Sequence, residues 1–310
     1  MSDAFPGHTP VLRDEVLECL AIRPGSVIVD ATVGLGGHTR ALAEATGPTG
    51  VIIGLDVDPA NLDEARRRLA GVPAEVRLHH ANFRELEDVL SAENVDRVDA
   101  ILADLGVAST QLEEPTRGFS FMRDGPLDMR MDPRLDTTAA DLVNRLKERE
   151  LSDVLFYNAQ EMKSRHIARH ICEARKSKRI TTTLALVNVV CAALRVNPVS
   201  RKSKIHPATR TFQALRMAVN DELGALRALL DAAPRLLAAG GRFAVIAFHS
   251  VEDKPVKLNF RQRKNERVYD ILTKKPITAS DAERDANPRS RSAKLRAAVR
   301  LEDDSATEVA

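Results

Sequence analysis

Cysteine is scarce in this 310-residue chain: Cys19, Cys172 and Cys191 stand alone, with neither the paired spacing of a metal site nor the density of a disulfide framework. They read as small core residues in a reducing compartment, and no metal site is expected. Long apolar runs are missing too. No stretch of eighteen hydrophobic residues occurs, which excludes a helical membrane span, and Met1 to His8 lacks the basic-then-apolar layout of a secretion signal. A cytoplasmic location with no membrane partner is therefore expected. Hydrophobic residues make up 44% of the chain, enough for a sizeable core in one large or two ordinary domains.

The net charge of +2 conceals an uneven distribution. Residues 1–110 hold 9 basic and 18 acidic side chains, residues 161–216 hold 13 and 2, and residues 254–300 hold 14 and 5. Two basic segments accompany an acidic half, and a polyanionic partner is the natural reading, because each phosphate neutralised releases condensed counterions.

The chain is organised around Val27 to His38. An apolar β-branched run ends in Asp30, glycines follow at 34, 36 and 37, and a helical pattern runs from Thr39 to Ala45. Strand, tight loop and helix make a cofactor loop: the glycines permit positive φ and close backbone approach, while the helix start offers N–H groups to an anion. The dinucleotide fingerprint has glycine at its first, third and sixth places, but counting from Gly34 the sixth is Thr39, which weakens an NAD reading. A second strand, Val51 to Leu55, ends in Asp56, twenty-two residues beyond Gly34, where a carboxylate takes both hydroxyls of a ribose. A ribose without a pyrophosphate fits S-adenosylmethionine, with its methionine carboxylate at the helix start. The alternative for the loop alone is an ordinary glycine turn, against which the placed acid weighs.

Strand and helix alternate onward: helix Ala60 to Leu69, strand Val76 to His80, helix Phe83 to Leu90, strand Val98 to Ala103, the pattern of a parallel, Rossmann-like α/β sheet. Asp58 and Pro59 supply the cap and first turn of the second helix, which leaves Asp56 free for a ligand. Asn82 and Phe83 fall where an adenine would lie, although Asn82 with Glu85 is equally a helix-capping box. Asp104 ends the fourth strand, and a carboxylate there is costly unless solvated or paired, which favours a functional role. Alternation then stops. Arg117 to Pro126 reads as a long ordered loop, Ala139 to Cys191 as largely helical, and Asn197 to Lys204 as a polar linker. The expected division is a sheet domain over 1–112 and 206–310, the latter with a basic tail, and an inserted all-helical domain over 113–205. The second sheet segment begins with one long helix whose apolar residues run from Phe212 to Leu237. Arg210, Gln213 and Asn220 form another stripe, either solvated or facing the cleft. A fifth strand, Phe243 to Phe248, leads to His249 at the same sheet edge as Asp104, and a last strand spans Leu295 to Leu301.

A cofactor with ribose and carboxylate, an acid at a strand end and a phosphate-binding insert fit methyl transfer to nucleic acid. Methylating carbon 5 of a pyrimidine normally needs a cysteine nucleophile, and none lies near a strand end, so a nitrogen or oxygen target is indicated. An exocyclic amine is a poor nucleophile because its lone pair is delocalised into the ring. Acceptors such as Asp104 and nearby carbonyls would have to orient it.

Six motifs in order, His8 to Leu12, Asp30 to His38, Asp104 to Ser109, Arg117 to Pro133, His206 to Ala214 and Phe248 to Ser250, together closely resemble the bacterial ribosomal RNA small subunit methyltransferase H family (RsmH, formerly MraW), over nearly the whole chain. The resemblance implies a class I S-adenosylmethionine-dependent methyltransferase sheet with a helical insert. It implies N4-methylation of one cytidine in 16S rRNA within the small ribosomal subunit, near the decoding site. Implied cofactor contacts are Gly36, Gly37, His38, Asp56, Phe83, Asp104 and Gln111, to which the loop reading adds Gly34, and Asp104 is the catalytic candidate. Arg201, Lys202, Lys204 and Arg210 are the expected RNA contacts. Oligomeric state is left open, a homodimer being one option. Amino-methyltransferases of DNA carry two prolines and an aromatic where this chain has Leu105, Gly106 and Val107, so the aromatic that stacks a flipped base is open among Phe119, Phe121 and Phe248. A DNA methyltransferase, a non-catalytic ribosome assembly factor and, least favoured, an NAD oxidoreductase are the rival readings.

Overall fold

The computed structural model describes residues 10–197 and 206–302. In chain order, α1 (Arg13–Leu20), β1 (Val27–Asp30), α2 (Gly37–Thr46), β2 (Val51–Asp56), α3 (Pro59–Arg68), β3 (Glu75–His80), α4 (Leu86–Ala92) and β4 (Val98–Asp104) alternate as expected. Then come the helices α5 (Ser109–Glu113), α6 (Ala139–Arg145), α7 (Glu148–Ala159), α8 (Ser164–Ser177), α9 (Thr183–Leu194) and α10 (Thr209–Val219). The chain finishes with α11 (Glu222–Leu236), β5 (Leu237–Ala247), α12 (Ser250–Asn265), β6 (Tyr269–Ile271), α13 (Asp281–Ala286) and β7 (Lys294–Arg300). Among the described residues no helix is long and apolar enough to cross a membrane.

Two compact units result, one formed by the chain up to Gly106 and again from Gly224, the other by Val107–Leu223. In the first, the strands lie in the order β3-β2-β1-β4-β5-β7-β6, with β1 to β5 parallel and β7 antiparallel to both its neighbours. The central strands are nearly continuous apolar runs because both faces are covered. Successive side chains alternate between the two faces: Val29, Ile53, Ile101 and Val245 enter one core layer, and Ile28, Ile52, Leu102 and Ala244 the other. Strand order reverses between β1 and β4, and ligands of open α/β sheets bind outside the carboxyl ends at such a point.

In the second unit α7 packs on α8 and α10, and α8 packs on α9. The loop before α6 is ordered by its own bonds. The Arg117 guanidinium donates to the carbonyls of Arg130 and Met131 at 3.1 Å each, and the Arg130 guanidinium grips both oxygens of Asp128 at 2.8 Å.

The structure departs from the expected pattern at several points. The single helix from Phe212 to Leu237 is two, α10 and α11, parted where Asp221 adopts φ +44°. Asn220, expected on a solvated or cleft-facing stripe, instead makes this break: its amide donates to the Arg216 and Met129 carbonyls (2.8 Å each) and its Oδ1 accepts the Met131 N–H (2.7 Å). The helical unit accordingly extends beyond 113–205 at both ends, and α10 belongs to it rather than to the sheet domain. The fifth strand starts at Leu237, which pairs with Val98; the register then shifts, so that Ala100 pairs with Arg242, and Gly240 within the shift takes φ +74°. The basic tail is part of the fold. Phe260 of α12 packs edge-on to Phe243 and Tyr269, and Arg296 of β7, 7% exposed, is held by Asp253 at 2.6 and 3.1 Å.

Candidate active site

The loop after β1 is shaped by two of its three glycines. Gly34 and Gly36 take φ +52° and +83°, whereas Gly37, expected to share that freedom, opens α2 with helical backbone. The N-cap of α2 is Gly36, which has no side chain to occupy the helix's first N–H groups, and a helix start of this kind is suited to cradle an anion. Fully buried Asp30 holds the loop from beneath: one oxygen accepts the Thr32 N–H (3.1 Å), the other the Thr39 hydroxyl (2.7 Å). Burial pushes its pKa up to about 6 despite those two bonds.

Asp56 is less free than the sequence implies. Asp58 does cap α3, accepting the Ala60 N–H at 3.1 Å, but Asp56 accepts the Gly34 N–H (2.7 Å) through Oδ2 and the Asp58 N–H (2.8 Å) through Oδ1. The carboxylate thus ties the glycine loop to the end of β2, and its two oxygens also accept long hydrogen bonds from the Asn61 amide, at 3.4 and 3.5 Å. Burial raises its pKa to about 7, against the opposing pull of those backbone N–H groups.

Asp104 sits at the end of β4, its own N–H donating to the Thr32 hydroxyl at 2.6 Å. Among the described residues its buried Oδ1 has no hydrogen-bond partner, and its Oδ2 lies 3.6 Å from His38 Nε2. Burial, then the charges of Asp30 and Glu252, raise its pKa well above the usual carboxylate range. Glu252, 2% exposed, is the functional candidate that the sequence reading missed. It accepts the Phe248 N–H (2.9 Å) and lies 3.2 Å from His249 Nε2. An acid in the first turn of a helix that directly follows a strand end was the available signal. Buried Asp30 and Glu252 and half-buried Asp104 come close enough at one edge of the sheet to disfavour ionisation of Asp104, and a cationic guest relieves that repulsion.

The remaining candidates are spread more widely. Phe83 is half-buried on the core, and Asn82 forms the capping box with Glu85, accepting the Arg84 N–H at 3.1 Å. Gln111 lies in the second unit, where it is buried and accepts the Ala108 N–H at 3.0 Å. Arg210 is exposed on α10, and Gln213 of the same helix donates to the Asn158 carbonyl at 3.4 Å. Arg201, Lys202 and Lys204 lie outside the described residues. Of the aromatic candidates, Phe119 is buried beneath the Arg117 guanidinium and Phe121 packs between His206 and Phe212, while Phe248 lies against Gly106.

A seven-stranded sheet with its antiparallel strand β7 inserted between β5 and β6, a glycine loop after β1 and an acid closing β2 define a class I methyltransferase architecture. The chain belongs to the MraW methylase family, whose model matches residues 6–301. It is 47% identical to the ribosomal RNA small subunit methyltransferase H of Acidobacterium capsulatum, covering 94% of this chain and 97% of that protein. It is 48% identical to that of Koribacter versatilis, covering 94% of each. Among solved structures it is similar to an rRNA methylase from Streptococcus thermophilus, at 14% identity, 94% coverage of each chain and a TM-score of 0.40.

Proposed function

We propose that this chain acts in the cytoplasm, transferring a methyl group from S-adenosylmethionine to N4 of a single cytidine in 16S rRNA, near the decoding site of the small ribosomal subunit. The observation that carries the reading is the unpartnered, buried Oδ1 of Asp104 among converging carboxylates. A cofactor bearing a sulfonium and an ammonium fits this donor set, because its positive charge stabilises carboxylates that burial and mutual repulsion otherwise keep protonated. When bound, S-adenosylmethionine supplies an electrophilic methyl group.

The chain's own groups do the rest. The uncapped start of α2 receives a carboxylate through N–H groups at Gly37 and His38, with Gly34 and Gly36 keeping the approach open. Asp56 offers its carboxylate to ribose hydroxyls, which would compete with the long Asn61 contacts, and Phe83 offers a face to the adenine. Asp104 accepts a hydrogen bond from the exocyclic amine, holding it in line for attack and favouring a lone pair localised on nitrogen. A nitrogen that gained the methyl group as the sulfonium S–C bond broke would have a proton to shed, and the same carboxylate would serve as its acceptor.

The substrate reading is supported by the six sequence motifs, by the names of the relatives and by the basic segment 161–216. The test is transfer of label from radiolabelled cofactor to small subunits, naked 16S rRNA and DNA, followed by mass spectrometry of the nucleosides. N4-methylcytidine at one position of 16S rRNA, missing in a strain without the gene, is the expected result. Label in DNA, or on carbon 5, overturns the reading.

A further inference from the structure

A cavity of about 430 Å³ lies in the first unit, on α12 and the edge formed by β6 and β7. Its lining includes Lys257, Arg261, Lys264, Lys274 and Arg296, and no carboxylate. Lys257, Arg261 and Lys264 are four and three residues apart, the spacing of a single helix face. Two of the five cations are already neutralised: Lys264 by Asp270 at 2.7 Å and Arg296 by Asp253. Lys257, Arg261 and Lys274 are exposed and, among the described residues, have no carboxylate at ion-pair distance. Phe260, 2% exposed, lines the same cavity and is locked between Phe243 and Tyr269.

Three unpaired cations around a fixed, partly apolar hollow form an anion site, and its size falls within the range of pockets that seat a small ligand. Two of the three, Lys257 and Arg261, sit on a helix face that is itself packed on the sheet, and Lys274 follows β6, so little backbone ordering of the helix is needed when an anion arrives. Solvation alone does not account for the pattern: acidic residues pair with cations at the margins, through Asp253 and Asp270, yet none enters the hollow. We infer that this cavity seats backbone phosphates of the RNA substrate, a second anchor for the strand in addition to the basic insert. The inference rests on the reading of the chain as an RNA methyltransferase, and one experiment separates the two.

The experiment compares the full-length wild type with Lys257→Ala/Arg261→Ala/Lys274→Ala for binding to small ribosomal subunits across 50 to 200 mM salt. It adds cofactor titration and acylation mapping of the lysines. Losing three phosphate contacts should flatten the slope of log affinity against log salt by roughly two to three, so that the wild type loses roughly 16- to 64-fold more affinity than the variant over that range. Cofactor affinity should be unchanged, and subunits should protect Lys257 and Lys274 from acylation in the wild type while exposed Lys254 stays reactive. Equal slopes with undiminished acylation of Lys257 and Lys274 overturn the inference while leaving the methyl-transfer reading intact. Protection without methyl transfer by the wild type keeps the anchor and removes that reading. Cytidine 5′-monophosphate is the control for a free nucleotide: protection by it at concentrations matching the subunits would make the cavity a mononucleotide site and overturn the inference.

Discussion

Asp104 carries a burden that a merely structural carboxylate would shed. Burial and the neighbouring charges of Asp30 and Glu252 disfavour its ionised form, and its Oδ1 has no partner in return. Replacing Asp104 by Asn keeps the shape and removes that electrostatic penalty, so thermal stability should hold or rise. Single-turnover methyl transfer should meanwhile fall by at least about a hundredfold, since the charge proposed to face the amine and the sulfonium is gone. A near-normal rate in the folded variant would return Asp104 to a structural role. The same carboxylates make a prediction about pH. Asp30 and Asp56 have folded pKa values of about 6 and about 7, above their ordinary value of 3.8. Between pH 4 and 7 the folded chain therefore holds protons that the unfolded chain has lost, and stability without cofactor falls as pH rises through that window. A cationic cofactor binds the ionised forms, so binding should release protons and tighten from pH 5.5 to 7.5. Calorimetry at pH 6 in buffers of different ionisation enthalpy measures the release; heats that do not depend on the buffer would detach these carboxylates from the cofactor.

At the scale of elements, what could be read in the sequence was what local chemistry determines. β1 through β4 and α3 declare themselves by apolar runs and by the Asp58 cap, and Asp30, Asp56 and Asp104 are placed at strand ends by that alternation alone. The break between α10 and α11 is hidden because the apolar period continues through it, and only the partners of Asn220, some ninety residues away in sequence, reveal why the chain turns there. The start of β5 is hidden likewise, since the pairing of Leu237 with Val98 is non-local. Glu252 escaped notice because its neighbours are set by the way α12 leaves β5. Asn220→Ala tests the reading of the break. It strips the acceptor from the Met131 N–H and a donor from the carbonyl of fully buried Met129, and two orphaned backbone groups should cost roughly 2 to 4 kcal/mol. Denaturant unfolding measures this, and faster proteolysis between residues 117 and 133 should accompany it. A loss under about 0.5 kcal/mol would mean that the loop is held by Arg117 and Arg130 instead.

For the whole molecule, the distribution of charge matters more than its sum, and folding re-sorts what the sequence displays. Of the cations in residues 254–300, Arg263, Lys264, Arg284, Lys294 and Arg296 each meet a carboxylate, so the surplus counted along the chain overstates what a polyanion would meet. In the helical unit Lys163, Arg165 and Lys178 stay exposed and, among the described residues, unpaired, in keeping with a phosphate-facing role. Arg201, Lys202 and Lys204 extend that basic segment in sequence. Replacing those three by Ala should leave cofactor affinity unchanged, weaken binding to small subunits and flatten the salt slope by roughly two to three. Should they and the α12 cavity grip different phosphates, the slope changes of the two triple variants will add, so that the sixfold variant loses roughly four to six. Additivity is the expected outcome because counterion release counts contacts and not their order along the strand. A sixfold variant no flatter than either parent would mean that both groups serve the same few phosphates, and an unchanged slope in the Arg201/Lys202/Lys204 variant would move the insert's contact to Lys163, Arg165 and Lys178.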